Sequence, residues 1–106
     1  MDIDTLELHD ALIQSASIDY ASKRVSLVLE LYESASEKKR TRVELAFDEV
    51  ESMSHVADFA RLEKNRFAGN VNYWIPGDAQ SPTFIYLTDG VMTIASRKPP
   101  SAHEVS

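Results

Sequence analysis

The stretch Arg24-Val-Ser-Leu-Val-Leu-Glu-Leu-Tyr32 alternates more regularly than any other part of this 106-residue chain. Its branched aliphatic residues occupy every second position: Val25, Leu27, Leu29 and Leu31. A β-strand points successive side chains to opposite faces, so these four share one face. The pattern predicts the central strand of an antiparallel sheet, with one face on a core and the other nearer water.

A second alternating stretch, Thr41-Arg-Val-Glu-Leu-Ala-Phe-Asp48, follows a polar segment, 34–40, that is typical of an exposed loop. Symmetric pairing of the two strands about this loop sets apolar residues opposite one another: Leu31 and Val43, Leu29 and Leu45, Leu27 and Phe47. Each such side chain contributes about 1.5–3 kcal/mol when it is fully buried. The sequence therefore predicts the centre of the core here.

The same register sets Glu30 opposite Glu44 and Tyr32 opposite Arg42 on the other face. Like charges at a directly opposed pair are unfavourable by about 0.2–1 kcal/mol. Two interpretations stay open. Either a neighbouring basic side chain screens the pair or the register is shifted, or the two carboxylates belong to an acidic patch that a basic partner neutralises.

The flanking segments predict further strands and one helix. Ile13 and Ile18 are five residues apart and cannot share one face of a regular strand. The first strand of the predicted Ala11–Tyr32 hairpin therefore contains a bulge or consists of two short pieces. A short helical turn over 6–13 is the competing prediction. An apolar stripe from Val56 predicts a short helix over 55–66, with Ser54 as its N-cap. A strand over 69–75 follows.

The dipeptide Asp89-Gly90 lies between two alternating runs and predicts a two-residue type I′ hairpin. This turn would pair Leu87 with Met92 and Ile85 with Ile94. The expected fold is a single α+β domain over 1–98, with an antiparallel sheet of about six strands and one short helix. Because two apolar faces must meet, the sheet is expected to curl into a half-barrel or form a sandwich. Residues 99–106 are expected to be a frayed tail.

Composition narrows the class of protein. The net charge is −6, and the one basic cluster, Lys38-Lys39-Arg40 with Arg42, is too small for a nucleic-acid face. Cysteine is absent, which suits a reducing compartment. The acidic N-terminus has no signal-peptide pattern, and no apolar run approaches the roughly 20 residues that span a bilayer. We therefore expect a soluble, cytoplasmic protein that binds neither nucleic acid nor membrane.

The sequence contains no phosphate loop, nucleophile elbow or metal-ligand pattern. His9-Asp10 is the one pair suited to proton transfer, but adjacent residues of a strand point to opposite faces. An aromatic set, which is either a binding platform or ordinary sheet packing, consists of Tyr73, Trp74, Phe84 and Tyr86. We predict a protein without catalytic, metal or cofactor residues.

Two short motifs, Leu8-His-Asp-Ala11 and Phe47-Asp-Glu-Val50, flank the predicted hairpin. In this respect the chain resembles small bacterial proteins of unknown function, some of which are similar to immunity proteins of polymorphic toxin systems. Those proteins open with a His-Asp-Ala element and carry a Phe-x-x-Val turn after a strand. The resemblance implies a small, sheet-based binding protein without enzymatic activity, and it transfers no catalytic residue.

Three hypotheses for function follow. The first is a non-enzymatic protein-binding module, an immunity-type inhibitor of a basic protein partner. The alternative is a structural or self-associating subunit that forms a homo-oligomer, such as a homodimer, through its sheet. The third is a small-ligand-binding domain. The predicted partner-binding residues are Glu30, Tyr32, Glu44, Trp74 and Tyr86.

Overall fold

Eight strands and one short helix make up the fold in the computed structural model, which describes residues 1–67 and 69–105. The strands are β1 (Leu12–Asp19), β2 (Arg24–Leu31), β3 (Thr41–Phe47), β4 (Val50–Val56), β5 (Val71–Ile75), β6 (Thr83–Leu87), β7 (Gly90–Ser96) and β8 (Ser101–Glu104), and the helix is α1 (Phe59–Lys64). They form two antiparallel sheets, with the orders β1-β2-β3-β8 and β4-β7-β6-β5. The predicted α+β class is confirmed. The predicted count of about six strands is wrong, and the sheet is not a closed barrel.

The two sheets share one hydrophobic core. The alternating aliphatic residues of β2 are all buried, as are Val43, Leu45 and Phe47 on β3. The second sheet contributes its own inward-facing residues: Val71, Trp74, Ile85, Leu87, Met92 and Ile94. The prediction that the Arg24–Tyr32 stretch carries one core face is therefore confirmed.

The register between β2 and β3 differs from the predicted one by two residues. Leu27 lies opposite Leu45, Leu29 opposite Val43, and Leu31 opposite Thr41. A shift of two residues keeps every side chain on its original face, so the apolar face survives while each individual pair changes. At the end of the hairpin, Thr41 Oγ1 donates to Glu33 Oε2 at 3.2 Å, which connects the start of β3 to the residues that follow β2.

The hairpin of β1 and β2 lies within the predicted Ala11–Tyr32 range. The expected bulge is present, because the pairing shifts between Ile13 and Ser15. The turn is closed by Asp19, whose Oδ1 accepts hydrogen bonds from the backbone N–H groups of Ala21 and Ser22, both at 3.1 Å. These donors, that of Ser22 first, hold the pKa of the Asp19 carboxyl below its ordinary value.

The predicted short helix near 55–66 is present, but it covers only Phe59–Lys64. Residues 50–56 form β4, which pairs with β7, and α1 begins only at Phe59 with Asp58 as its N-cap. The predicted N-cap, Ser54, belongs to β4. The apolar stripe that suggested the longer helix is not buried, because Phe59 is 79% exposed. Pairing with β7 therefore prevails over a weak helical pattern.

The hairpin between β6 and β7 forms with a different turn from the predicted one. Leu87 pairs with Gly90 and Ile85 with Met92, so the central turn residues are Thr88 and Asp89. Of these, Asp89 has a positive φ of 55° and Thr88 does not, whereas a type I′ turn needs a positive φ at both. Gly90 is needed for space instead, because an added Cβ would overlap the carbonyl oxygen of Val56.

The C-terminal segment is not the predicted frayed tail. Ser101–Glu104 forms β8, which pairs with β3 from Val43 to Ala46. Ala102 lies opposite Leu45 and is only 7% exposed. Over the described residues, no helix is long and apolar enough to cross a membrane.

Backbone hydrogen bonds connect the segments at both ends of β1 to the second sheet. At the beginning of β1, the carbonyl of Ala11 accepts hydrogen bonds from the N–H groups of Asn70 and Val71, at the start of β5. At its other end, Lys23 in the following turn accepts a 2.9 Å hydrogen bond from the N–H of Val50, at the start of β4. Because β5 and β4 are the two edges of the second sheet, the β1–β2 hairpin extends toward the β4 edge.

Candidate protein-binding surfaces

The outer face of the second sheet carries two rows of side chains. In an antiparallel sheet, directly opposed residues lie on the same face, and here Ile85, Met92 and Ile94 mark the inner one. One outer row follows the pairing Val56–Val91–Tyr86–Tyr73 across all four strands. The next row follows Ser54–Thr93–Phe84–Ile75.

We call the six apolar or aromatic side chains of these rows the aromatic face: Val56, Tyr73, Ile75, Phe84, Tyr86 and Val91. Three of them are well exposed, Val56 at 62%, Tyr73 at 52% and Ile75 at 48%. The rings of Tyr73 and Tyr86 are stacked with centroids 4.5 Å apart, and Phe84 lies 6.1 Å from Tyr86. The stack holds these rings in fixed positions, so little side-chain entropy would be lost on contact with a partner.

No charged residue occurs in either row, although the chain carries 28 charged residues in all. The other four strands present Glu30, Arg42 and Glu44 on the outer face of the first sheet. A sheet face that is in contact only with water normally alternates to polar and charged residues. An uncharged, partly aromatic outer face is therefore unusual for a solvent-exposed sheet and is typical of an interaction surface.

The predicted partner-binding residues Trp74 and Tyr86 point in opposite directions. Tyr86 belongs to the aromatic face. Trp74 is only 8% exposed, lies opposite Ile85 in the core, and donates from Nε1 to the carbonyl of Leu6 at 3.0 Å. Trp74 is thus a structural residue that attaches the N-terminal segment to the second sheet.

The predicted contact between Glu30 and Glu44 does not exist. Glu30 lies opposite Arg42, and Glu44 lies opposite Val28. The Glu44 carboxylate is also 3.3 Å from Arg24 Nη2 and 3.5 Å from His103 Nε2. Arg42 lies opposite Glu30 and Arg24 contacts Glu44, so the two carboxylates do not form an unpaired acidic patch.

Tyr32 is also engaged within the chain rather than opposite Arg42. The guanidinium carbon of Arg40 lies 4.7 Å from the centre of the Tyr32 ring. Arg40 also donates from Nη2 to the carbonyl of Asp10 at 3.2 Å. The hydrogen bond holds the β2–β3 loop against the segment before β1, and the cation–π contact holds Arg40 against the end of β2.

A second surface lies between the β1–β2 hairpin and β4. This opening, which we call the hairpin cleft, has a volume of about 780 Å³, within the range of ligand sites. Its apolar lining consists of Ile18, Val25, Val50 and Met53. Around these lie three acidic and three basic side chains: Asp19, Glu49, Glu51, Lys23, Arg24 and Arg97.

Most of these charges are paired at the surface. Arg97 Nε is 3.5 Å from Glu51, Glu49 is 3.3 Å from Lys98, and Arg24 contacts Asp48 at 3.5 Å in addition to Glu44. The cleft therefore has no strong net charge of its own. Exposed pairs of this kind are each worth about 0–1 kcal/mol.

His9 and Asp10 do meet, contrary to the expectation from strand alternation. Both precede β1, and Asp10 has a φ of 66°, so the alternation of a strand does not apply to them. His9 Nδ1 lies 3.1 Å from Asp10 Oδ2, with the His9 side chain 67% exposed. The pair does not line the hairpin cleft. Nothing in its surroundings assigns it a role in proton transfer.

Sequence reasoning named Tyr73, Phe84 and Tyr86 as an aromatic set but did not identify the complete face. Val56, Ile75 and Val91 were not included, because Val56 was assigned to the predicted helix over 55–66 and because a single exposed aliphatic residue is common. The strand pairing is what brings them together. Among residues 1–67 and 69–105, no group of three or more His, Asp or Glu side chains is placed to hold a metal ion.

Comparisons with known protein families, curated proteins and solved structures find no match to this chain.

Proposed function

We propose that this protein is a non-enzymatic protein-binding module that contacts its partner through the aromatic face. The observation that supports this proposal is the pair of uncharged rows across all four strands of the second sheet. Tyrosine and phenylalanine are enriched at protein interfaces, where a few aromatic side chains carry most of the binding energy. The rigid stack of Tyr73 and Tyr86 is suited to that role.

The charge of the chain favours a basic partner. With a net charge of −6, the protein attracts positively charged proteins over a distance of about one Debye length, while the uncharged face provides the close contact. An immunity-type inhibitor of a basic toxin would combine the two properties, with long-range attraction from its net charge and close apolar contact through the aromatic face. In this proposal Glu30 and Glu44 contribute to attraction and not to the interface itself.

Self-association is the second candidate, and the same face supports it. Two copies that each carry −6 repel each other, so a second copy can approach closely only where no acidic side chains are brought together. The aromatic face meets that condition, because a two-fold interface contacts the same patch on both subunits.

Site-specific photo-crosslinking in the native host tests the proposal. Benzoylphenylalanine replaces Tyr73 on the aromatic face in one variant and Ser17 on the outer face of β1 in the matched control. Both positions are exposed strand residues, but only the first lies on the proposed interface. We expect one covalent adduct of defined mass from position 73 and none from position 17.

The mass of the adduct separates the two candidates. An adduct with a basic protein supports an inhibitor of such a partner, whereas an adduct of twice the chain mass supports self-association. No adduct from position 73, or the same set of adducts from both positions, contradicts a protein-binding role for this face. Circular dichroism of both variants verifies that the label has not unfolded the chain.

A further inference from the structure

The second half of β1 exposes side chains that point toward the interior. Ala16 lies opposite Leu27, and Ile18 lies opposite Val25, both of which face the core. Residues opposite each other share a face, so Ala16 and Ile18 also point inward. Both are nevertheless exposed, Ile18 at 47%. The inner face of the hairpin therefore extends past the last strand of the second sheet without a strand beneath it.

That last strand is β4, and it has a free edge. Its sheet partner is β7 on one side, and no strand pairs with it on the other side within the described residues. The N–H of Val50 donates to Lys23 at one end of this edge. For residues 51–56, no other backbone hydrogen bond outside the β4–β7 ladder occurs in the described part of the chain. Such an edge is a template for another strand.

The hairpin cleft lies where that additional strand would run. Ile18 and Val25 line it from the hairpin, and Val50 and Met53 line it from the second sheet. A strand next to β4 would place alternate side chains against Ile18, and the remaining side chains would extend the outer face from Ser52, Ser54 and Val56. The paired charges around the cleft favour neither an acidic nor a basic segment.

We propose that the free edge of β4 binds an extended peptide segment of a partner protein, which adds as a fifth strand beneath the β1–β2 hairpin. The segment carries apolar side chains at alternate positions, because those side chains cover Ile18. Its paired length is about six residues, which corresponds to the free edge over residues 51–56 of β4 and to roughly 20 Å of extended chain. The inference rests on the proposed function in that the ligand is a protein, but the ligand pairs with the backbone edge of β4, which adjoins the aromatic face at Val56.

A synthetic peptide tests the proposal on the full chain. The probe is an acetylated peptide of alternating valine and threonine with a lysine at each end, added to isotopically labelled protein and followed by NMR. We expect slower amide hydrogen exchange in residues 52–56 and shifted methyl signals of Ile18. The matched peptide is methylated at every central backbone nitrogen; it keeps the side chains, loses the ladder donors and does not bind.

Two variants with the same added charge locate the site on the protein. Ile18→Asp places a carboxylate on the inner face of β1 and is expected to weaken peptide binding by about tenfold or more. Ser17→Asp adds the same charge on the outer face of the same strand and leaves binding unchanged. Both positions are exposed, so neither change disturbs the core.

Several outcomes overturn the inference. They are binding of the methylated peptide with equal affinity, protection at β5 or β8 instead of β4, an equal effect of the two variants, and binding of octanoate but not of the peptide. Tyr73→Ser separates this inference from the proposed function, because it removes a contact of the aromatic face and leaves peptide binding intact. If crosslinking at position 73 succeeds and the peptide does not bind, the proposed function stands without the β4 site.

Discussion

Replacing Trp74 with phenylalanine tests which way β5 faces, and the aromatic face depends on that orientation. Trp74 and Tyr73 are neighbours on one strand with opposite directions, one 8% exposed and the other 52%. If β5 were turned over, Tyr73 would lie in the core and the aromatic face would lose its most exposed ring. The stability of two phenylalanine variants distinguishes these arrangements.

The expected cost for Trp74→Phe comes from two changes. The variant loses the 3.0 Å hydrogen bond from Nε1 to the carbonyl of Leu6, and such a bond has a net worth of about 0.5–1.5 kcal/mol. It also replaces a large buried ring with a smaller one, which leaves a cavity and costs about another 1 kcal/mol. We therefore expect the free energy of unfolding to fall by about 2 kcal/mol.

The control is Tyr73→Phe, which keeps the ring and its stack on Tyr86 and removes only an exposed hydroxyl. It should change the free energy of unfolding by less than about 0.5 kcal/mol. Urea unfolding followed by far-UV circular dichroism measures both variants, and an unchanged m-value shows that the two-state comparison holds. Trp74 is the single tryptophan of the chain, so the emission of the wild-type protein should also be that of a buried indole, shifted to the blue. Equal effects of the two substitutions, or emission typical of a solvated indole, would refute the orientation of β5.

Three other changes have defined expected results. Gly69→Ala should destabilise the fold by about 2 kcal/mol or more in urea unfolding, because Gly69 has a φ of 121° and an added Cβ would overlap the backbone of Asp10; full stability would contradict this conformation. A chain that ends at residue 98 lacks β8 and should lose about 2 kcal/mol, with faster amide exchange in β3 from Val43 to Ala46, and unchanged exchange would rule out the pairing. Asp19→Asn should be less stable than the wild type at neutral pH, because the N–H groups of Ser22 and Ala21 stabilise the charged Asp19 carboxylate and lower its pKa. The difference in the free energy of unfolding should shrink as the pH falls below the ordinary aspartate pKa of 3.8 and through the lowered pKa of Asp19. A difference that grows in acid would contradict the Asp19 turn.

For the β2–β3 hairpin, the sequence pattern predicts the buried face but not the register. Strict alternation identifies which face of β2 and β3 is buried, because exposing a Leu or Val row costs several kcal/mol. It cannot distinguish registers that differ by two residues, since both keep the same rows on the same faces. The contact of Thr41 with Glu33 and the contact of Arg40 with Asp10 hold the loop, and these depend on tertiary structure.

The two missed strands lie at sheet edges. Residues 50–56 read Val-Glu-Ser-Met-Ser-His-Val, and only Val50 and Met53 are partly buried. Ser101–Glu104 has one buried residue, Ala102. An edge strand is held mainly by backbone hydrogen bonds to its neighbour. Because almost every residue has the same backbone donor and acceptor, these bonds do not appear in the side-chain pattern. Such strands are recognised only once the neighbouring strand is in place.

The candidate surfaces differ in how much the sequence could predict. Tyr86 was correctly expected on an outer strand face, and Trp74 was not, because a lone tryptophan in an alternating strand fits either side. The hairpin cleft could not be predicted at all. It depends on the position of the β1–β2 hairpin relative to the second sheet, which is set by hydrogen bonds between residues far apart in sequence, such as Ile13 N–H to Asn70 Oδ1 at 3.1 Å, 57 positions apart.

The strand order of the first sheet also determines when that sheet can be completed during synthesis of the chain. All four strands of the second sheet lie between β3 and β8 in the chain, and β3 pairs with a segment about 60 residues further on. While the ribosome is still producing those residues, the β3 edge has no partner. If the β1–β2–β3 meander forms during synthesis, its β3 edge stays unpaired until β8 has been added. Chaperone binding to this edge in nascent chains, and aggregation of chains truncated before β8, are the expected cellular consequences of that delay.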